Sequence, residues 1–492
     1  MWQFFSPDVE KWITLTMVVI VFALILLRKV PIHWLSLGAA AVLIALGIIS
    51  PEKALLDSGN GVNWDVLAIY FGYGMLALPL MESKMPAAIS NWILPKLRKE
   101  KYALLFLCTL SAFLSSFMAN PVVVIILAPL AIEMAERLKS SLFLYLVGLA
   151  ISSNVVTTVS MVADPPALIL AMQTNMTFLD FYWFHSRPSL GTLTVVGVLA
   201  ALLTLLFQFR RLNNAVDVIV QPVRVAVKSV ILIGVGGMGC AVAIILNILG
   251  LNTAAILFLL ALSIIISVLD ALFPEQTAIH QGYLQLSLGP AAIFVLSIFA
   301  LALVPNATLG FLKYQGWVGL ILGILALLML GRKWFEGVKE FDWVSIAFLI
   351  GIFIVIGSVN QVGLLKDFSN LMIGIGLTNP LVVFVIITWL SVALSSFIDN
   401  VPYTVLMIPV CSYMAQAVGV NPFYFYFGML VGTGIGGNIT PVGATANVLA
   451  CGMLEKRGYK INLGTYMKIS IPFSCLAVLA VMILIQVFWS GF

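Results

Sequence analysis

Apolar runs long enough to cross a bilayer recur along the chain, separated by short polar or basic breaks. They cover about 11–28, 33–50, 64–82, 188–208, 228–249, 253–271, 286–304, 315–331, 343–360 and 465–489. Each approaches the roughly 20 residues that a helix needs to cross hydrocarbon. The strict alternation of polarity that marks a membrane β-barrel is absent. Residues 83–99 (SKMPAAISNWILPKLRK) are amphipathic and basic, which predicts a helix lying in the interface.

Four further apolar stretches are interrupted by polar residues, and they fall into two matched sets. LSAFLSSFMANPVVVIILAPL, Leu110–Leu130, recurs as LSVALSSFIDNVPYTVLMIPV, Leu390–Val410, at an offset of 280 residues. The offset holds without a gap to Val162 and Val442, and it aligns Ser115 with Ser395, Ser116 with Ser396, Asn120 with Asn400 and Pro129 with Pro409. Apolar bias does not align a Ser-Ser pair, an Asn and a Pro. Trp64, Ala68 and Gly72 recur as Trp343, Ala347 and Gly351. The chain therefore reads as a duplication: a first repeat over 1–208, an insert with two extra helices over 209–285, and a second repeat over 286–492.

Each repeat holds one hairpin and one broken crossing. The hairpins are placed at 102–137 and 379–417. Each arm of the first, about 16 residues at 1.5 Å rise, reaches roughly 24 Å, short of the ~30 Å core. Basic residues stand at both of its ends, so a re-entrant hairpin with its tip buried in protein is predicted. The broken crossings are placed at 141–173, interrupted by SSNVVTTVSMVADPP, and at 423–455, interrupted by GTGIGGNITPVGATAN. The expected fold class is an all-α polytopic membrane protein of two inverted-topology repeats with five transmembrane helices each. Seven crossings separate the starts of the repeats, and an odd number turns the second upside down. With both termini extracytoplasmic, Lys11, Lys53, Arg187, Lys313 and Lys366 face outward, and the other twenty of the 25 Lys and Arg face the cytoplasm, as the positive-inside rule requires.

Composition agrees: 62% of residues are hydrophobic, 9% are charged and the mean hydropathy is +1.12. No soluble domain of this length hides so much apolar surface. The net charge of +5 gives no reason to expect nucleic acid as a partner. Cys108, Cys240, Cys411, Cys451 and Cys475 sit singly in apolar runs, with no spacing for a disulfide framework or a metal cluster. The first apolar run lacks a signal-peptide start and cleavage site and is read as a retained span.

Of the acidic residues, only Asp164 and Asp399 fall deep within membrane segments, and no Lys or Arg does. A membrane-embedded acid points to function. Asp399, beside Asn400 at the second hairpin tip, could ligate a cation or take up a proton; the plainer reading is a helix-start acid. Asp164 precedes Pro165-Pro166, the pattern of an N-cap followed by N1 proline. The broken crossings carry chemistry of another kind. Unwound backbone is tolerated at membrane depth only where it lines a cavity or protein interior; there half-helix N-termini attract anions and free carbonyls coordinate Na⁺. Gly434, Gly436, Gly437 and Gly443 ease unwinding in the second repeat, where Asn438, Thr440, Thr445 and Asn447 add neutral ligands. The first repeat offers Ser153, Asn154, Thr157, Thr158 and Ser160. Close helix packing through small residues competes with this reading. Motifs of covalent catalysis, nucleotide binding and metalloprotease chemistry are missing, so an enzyme is not expected.

At these residues the chain resembles the ion transporter superfamily, in particular the group of arsenite permeases, D-type sodium/proton antiporters and the melanosomal P protein, and more distantly divalent-anion/sodium symporters. The match is strongest in SSFIDNVPYTVLMIPV and GGNITPVGATANVLACGMLEKRGYKI of the second repeat and ADPP of the first. The resemblance implies homodimers in which hairpins and broken helices form a mobile part that moves elevator-fashion against a scaffold. It implies ion-coupling roles for Asp399, Asp164, Ser115, Ser395, Thr157, Ser160 and Gly437. Substrate contacts would come from Ser116, Asn120, Ser396, Asn400, Thr158, Asn438, Thr440 and Asn447, and Na⁺ would bind at Ser395, Asp399, Asn400 and Asn438. The first repeat departs from the pattern: Ala119-Asn120 replaces Asp-Asn, Val156-Thr157 replaces Gly-Gly, and Ala167 replaces the Asn after Pro-Pro. If one cation or proton site is kept, it is expected in the second repeat.

The expected function is ion-coupled (Na⁺ or H⁺) secondary transport of a small inorganic solute, an oxyanion or arsenite-like species, with no cofactor beyond bound Na⁺. A Na⁺/H⁺ antiporter is the alternative, and a passive channel the third reading. The expected location is a prokaryotic inner membrane.

Overall fold

The computed structural model describes residues 5–27, 30–57, 60–83, 85–216, 223–225, 227–272, 284–286, 288–304, 314–331, 334–374, 378–398 and 400–491. Asp399 lies outside the described residues. The apolar runs are helices Pro7–Leu27, Ile32–Ala45, Trp64–Glu82, Leu190–Gln208, Val227–Ile248, Asn252–Leu272, Gly289–Leu303, Gln315–Leu328, Trp343–Gln361 and Leu463–Trp489. Among the described residues six helices are long and apolar enough to cross a membrane, five of them expected spans and the sixth Asn400–Val418, an arm of the second hairpin that is longer than a re-entrant arm requires; Ile32–Ala45, Trp64–Leu80, Gly289–Leu303 and Gln315–Leu328 are shorter apolar helices.

Each of the four interrupted segments is a pair of helices separated by a short non-helical stretch. The first hairpin is Glu100–Ser115 and Asn120–Arg137, and the second is Pro380–Ser395 and Asn400–Val418. The first broken pair is Leu142–Asn154 and Pro165–Gln173, and the second is Pro422–Gly436 and Thr445–Glu455. Local chemistry sets these boundaries. Asn379 and Asn421 each accept a backbone N–H of the following turn and precede proline, Pro380 and Pro422, so a side-chain cap meets a residue with a preset φ. Asp164, before Pro165, is extended at φ −157° and ψ 150°, because a following proline disfavours the helical region. Its counterpart Ala444 adopts nearly the same angles, φ −139° and ψ 147°, without a proline.

The interfacial helix expected over 83–99 is Met85–Ile93, followed by a 3₁₀ turn, Leu94–Lys96. The short helices Pro51–Leu56, Trp334–Glu340 and Leu364–Gly374 have no counterpart in the sequence reading; none is long enough to leave a clear apolar period. Two small sheets, Trp183–Phe184 with Arg187–Pro188 and Val223–Val225 with Leu284–Leu286, also escaped it.

The helices pack across the duplication. Trp64–Glu82 packs on Gln315–Leu328, and Trp343–Gln361 packs on Ile32–Ala45. The matched glycines make both approaches possible: a Cβ on Gly72 would lie 2.2 Å from Gly319 O, and one on Gly351 would lie 2.4 Å from the Ser36 carbonyl carbon. Trp64–Glu82 and Trp343–Gln361 run past each other in opposite directions. Asn360 Nδ2 donates to Asn60 Oδ1 at 3.0 Å near the start of one and the end of the other, and the Phe71 and Trp343 rings lie 5.6 Å apart further along. Hairpins and broken helices gather into a second group with Leu190–Gln208 and Leu463–Trp489. There the second half of each broken helix packs on the other repeat: Pro165–Gln173 on Asn400–Val418, and Thr445–Glu455 on Leu142–Asn154. The two insert helices pack on Gly289–Leu303.

Candidate functional site

Both hairpin tips and both helix breaks are joined by one buried hydrogen-bond network. At the first tip, Asn120 Nδ2 donates to Asn154 Oδ1 at 3.1 Å. Asn154 Nδ2 in turn crosses to the second repeat and donates to Gly434 O at 3.0 Å. Asn438 Nδ2 returns the contact, donating to Ile151 O at 3.0 Å. At the second tip, Ser395 Oγ donates to Asn400 Oδ1 at 2.5 Å and lies 2.6 Å from Thr433 O. Thr440 Oγ1 donates to Ser396 O, also at 2.5 Å, and ties the second break to the second tip.

The glycines of the second break lie at the centre. A Cβ on Gly437 would sit 3.2 Å from Asn400 Oδ1 and 3.5 Å from Asn154 Nδ2, and one on Gly443 would sit 2.4 Å from Gly437 O. Gly437 thus lies between the second tip and the first break, and Gly443 leaves no room for a side chain.

The buried polar atoms left over around the tips and breaks are amide oxygens and hydroxyls, Ser152 Oγ and Thr404 Oγ1 among them. Ser115 Oγ, Asn120 Oδ1, Asn438 Oδ1 and Asn447 Oδ1 are buried and have no partner among the described residues. Asn447 Nδ2 donates to Gly437 O at 3.1 Å and to Thr440 O at 3.3 Å. A carbonyl only accepts, so it fixes the amide that faces it and leaves the Oδ1 atoms of Asn438 and Asn447 over. A buried polar atom without a partner is costly and calls for an explanation. Here the leftover amide atoms are oxygens, which suit a cation. Backbone N–H groups for an anion are thinned at three of the four helix starts, by Pro121, by Pro165-Pro166 and by Pro402. Thr445–Glu455 starts without proline. The described ion pairs, Lys11–Asp367, Arg137–Glu133 and Lys228–Asp270, all lie outside this network.

The remaining expected site residues are placed as follows. Thr157 Oγ1 donates to Asn154 O at 2.7 Å and secures the first break. Thr158 Oγ1 pairs with Thr194 Oγ1 at 2.9 Å, which turns its hydroxyl toward Leu190–Gln208. Ser160 Oγ accepts the Val162 N–H at 3.3 Å, and the matched Thr440 accepts that of Val442 at 3.4 Å. Ser116 Oγ donates to Ala112 O one turn back, and Ser396 Oγ donates to Val392 O at 2.7 Å and lies 3.2 Å from Gly436 O. Asp164 occupies the N-cap position but its side chain makes no cap hydrogen bond. Two prolines follow it and offer no N–H, so the expected cap is one of position alone. Asn154, named in the sequence only among neutral ligands of the first break, joins the repeats together with Asn438. Ser470, whose Oγ donates to Ile439 O at 2.9 Å, was not singled out at all.

A cavity of about 1290 Å³ separates the two helix groups; Trp64, Asp65, Phe71, Trp317 and Trp343 line one wall, and Gln173, Val405, Ser412, Gln416 and Tyr426 the other. Asp65 Oδ1 accepts the Gly316 N–H at 2.8 Å and so caps Gln315–Leu328.

Comparison with known proteins adds the following. A family profile described as "Citrate transporter" matches residues 22–432. An uncharacterized transporter of Mycobacterium tuberculosis is 24% identical over 454 residues, covering 92% of this chain and 92% of that protein. The P protein of Homo sapiens is 24% identical over 500 residues, covering 96% of this chain and 59% of the P protein. Among solved structures, the YdaH transporter of Alcanivorax borkumensis aligns with a TM-score of 0.50 at 14% identity, covering 99% of this chain and 98% of that one. That likeness extends to the fold alone.

Proposed function

The chain belongs to the citrate transporter family of the ion transporter superfamily, and from that premise we propose that it is a cation-coupled secondary transporter of a small solute. The hairpins and broken helices form the moving body. Its two halves are inverted, and it slides against the scaffold along the cavity between them. The observation that carries this reading is the set of buried oxygens at the tips and breaks that have no partner among the described residues, Ser115 Oγ, Asn120 Oδ1, Asn438 Oδ1 and Asn447 Oδ1. Four helix C-termini, at Ser115, Asn154, Ser395 and Gly436, add partial negative charge at the same place. A cation bound there supplies the positive charge that the described side chains of the network lack.

That lining bears on the solute. A tricarboxylate would bring about three negative charges to helix starts depleted of N–H donors, with no Lys or Arg among the described network residues. A small oxyanion, or an uncharged hydroxide such as arsenite, asks for less and fits beside a bound cation at the proline-free start at Thr445. A tricarboxylate carried as a complex with a divalent cation loses most of that penalty, so citrate belongs in the test with and without Mg²⁺. The second reading, a Na⁺/H⁺ antiporter, draws on the same acceptor-rich lining, because such a site binds a cation whether or not a solute accompanies it.

Uptake of labelled arsenite, arsenate, phosphate and citrate into proteoliposomes, driven by a Na⁺ or a pH gradient, tests the proposal. Saturable, gradient-dependent uptake with counterflow is expected for one of them. Flux of protons driven by Na⁺ alone, with none of the solutes moving, would establish the antiporter instead. Solute flux that neither saturates nor responds to either gradient would overturn both.

A further inference from the structure

We propose that Asn154 sets the polarity of the first hairpin tip and transmits its occupancy to the second repeat. The inference rests on the cation-coupled reading. Its starting point is a backbone carbonyl, Gly434 O, whose chemistry is fixed: it accepts and never donates. Asn154 must therefore present Nδ2 to it, as it does at 3.0 Å. A planar amide that turns its nitrogen one way turns its oxygen the other, and Asn154 Oδ1 meets Asn120 at 3.1 Å. Asn120 must then offer its own nitrogen. What is left at the tip is Asn120 Oδ1, buried with no partner among the described residues, beside a Ser115 Oγ in the same condition. The three groups form a directed relay in which a carbonyl of the second repeat determines that the first tip shows an acceptor.

The relay also works in reverse. A cation on Asn120 Oδ1 polarises that amide and strengthens the hydrogen bond to Asn154, and through it the bond to Gly434. Gly434 and Thr433 belong to the helix end that holds Ser395 and, through it, Asn400. Occupancy of the first tip thus bears on the geometry of the second, and by linkage a ligand at the second tip changes cation affinity at the first by the same factor. Asn154 is a positioning residue here, acting through Asn120. Position 154 is matched by Gly434 in the other repeat, so the second tip has no relay of this form.

The test is a Na⁺ titration of thermal stability on purified full-length protein, with choline as ionic control, repeated across pH. Wild type, Asn154→Leu, Asn120→Ala and the double variant are compared, with Asn154→Ala in place of Asn154→Leu if the latter does not fold. We expect the Na⁺ midpoint of Asn154→Leu to rise about tenfold. The double variant should be no worse than Asn120→Ala alone, since the relay acts through Asn120. An unchanged midpoint in Asn154→Leu, or single-variant effects that add, would overturn the relay while leaving cation coupling intact. A wild-type protein that responds to neither Na⁺ nor pH would instead overturn the cation-coupled reading, and the relay with it.

Discussion

The two hairpin tips have nearly the same sequence and opposite hydrogen-bonding states. At the second tip the Ser395 Oγ proton is shared between two acceptors, Asn400 Oδ1 at 2.5 Å and Thr433 O at 2.6 Å, and Thr440 closes on Ser396 O. At the first, the matched Ser115 Oγ and Asn120 Oδ1 are buried and without a partner among the described residues. Departures from the family pattern had pointed to the second repeat as the seat of a single cation site. Among the described residues, buried acceptors without a partner stand in both repeats, Ser115 Oγ and Asn120 Oδ1 at the first tip and Asn438 Oδ1 and Asn447 Oδ1 at the second break; what differs between the tips is the engagement of the matched Ser and Asn. A residue type alone does not say whether an oxygen is available to a ligand; the carbonyl opposite decides it. At the second tip that carbonyl belongs to Thr433, and among the described residues the first tip has no equivalent bond.

The comparison yields predictions of decreasing size. The largest concerns Asn120 and Asn400. Asn120→Ala should reduce cation-driven uptake by about a hundredfold or more, while Asn400→Ala should keep a cation response and lose stability instead; uptake and thermal melts on the same preparations separate the two. Next, alanine at Gly72 or Gly351 drives a methyl into backbone at 2.2 and 2.4 Å, and each should cost at least the ~1–3 kcal/mol of an overpacked core. Gly452→Ala, with nothing within 4 Å, should be neutral or slightly stabilising. Unequal losses at Gly72 and Gly351 would weaken the equivalence of the two scaffold crossings. Ser395→Ala should then destabilise by about 1–3 kcal/mol, because it strands buried acceptors. Ser115→Ala removes an unpaired hydroxyl, so it should leave stability unchanged and weaken only the cation response. Thr440→Val should have the smallest effect, about 1 kcal/mol, seen in the melt with the cation midpoint unmoved.

Much of this architecture was legible in the residues. Long apolar runs such as 64–82 and 343–360 became helices within a residue or two, and the breaks fell at Asn154 and Gly436 because Ser, Asn, Thr, Gly and Pro cluster there. Leu364–Gly374 and Trp334–Glu340 were not legible, since short amphipathic helices resemble the polar loops around them. The site was legible as a set of residues and not as a set of bonds. Ser115 and Ser395 look alike in sequence, as do Thr157 and Thr158, yet Thr157 holds the break while Thr158 turns to Thr194. The part played by Asn154 depends on a carbonyl 280 residues away, beyond the reach of any local pattern.

The most direct test of the account is the accessibility of the open ends of the two hairpins. Single cysteines at Glu136→Cys and Ala417→Cys, both exposed and placed in a background free of the five native cysteines, are probed with a membrane-impermeant maleimide in vesicles of known orientation. Oppositely inserted hairpins require that one thiol react from the cytoplasmic face and the other from the external face. Reaction of both from the same face, with and without Na⁺ and solute, would contradict the shared, inverted site from which the rest of the account follows.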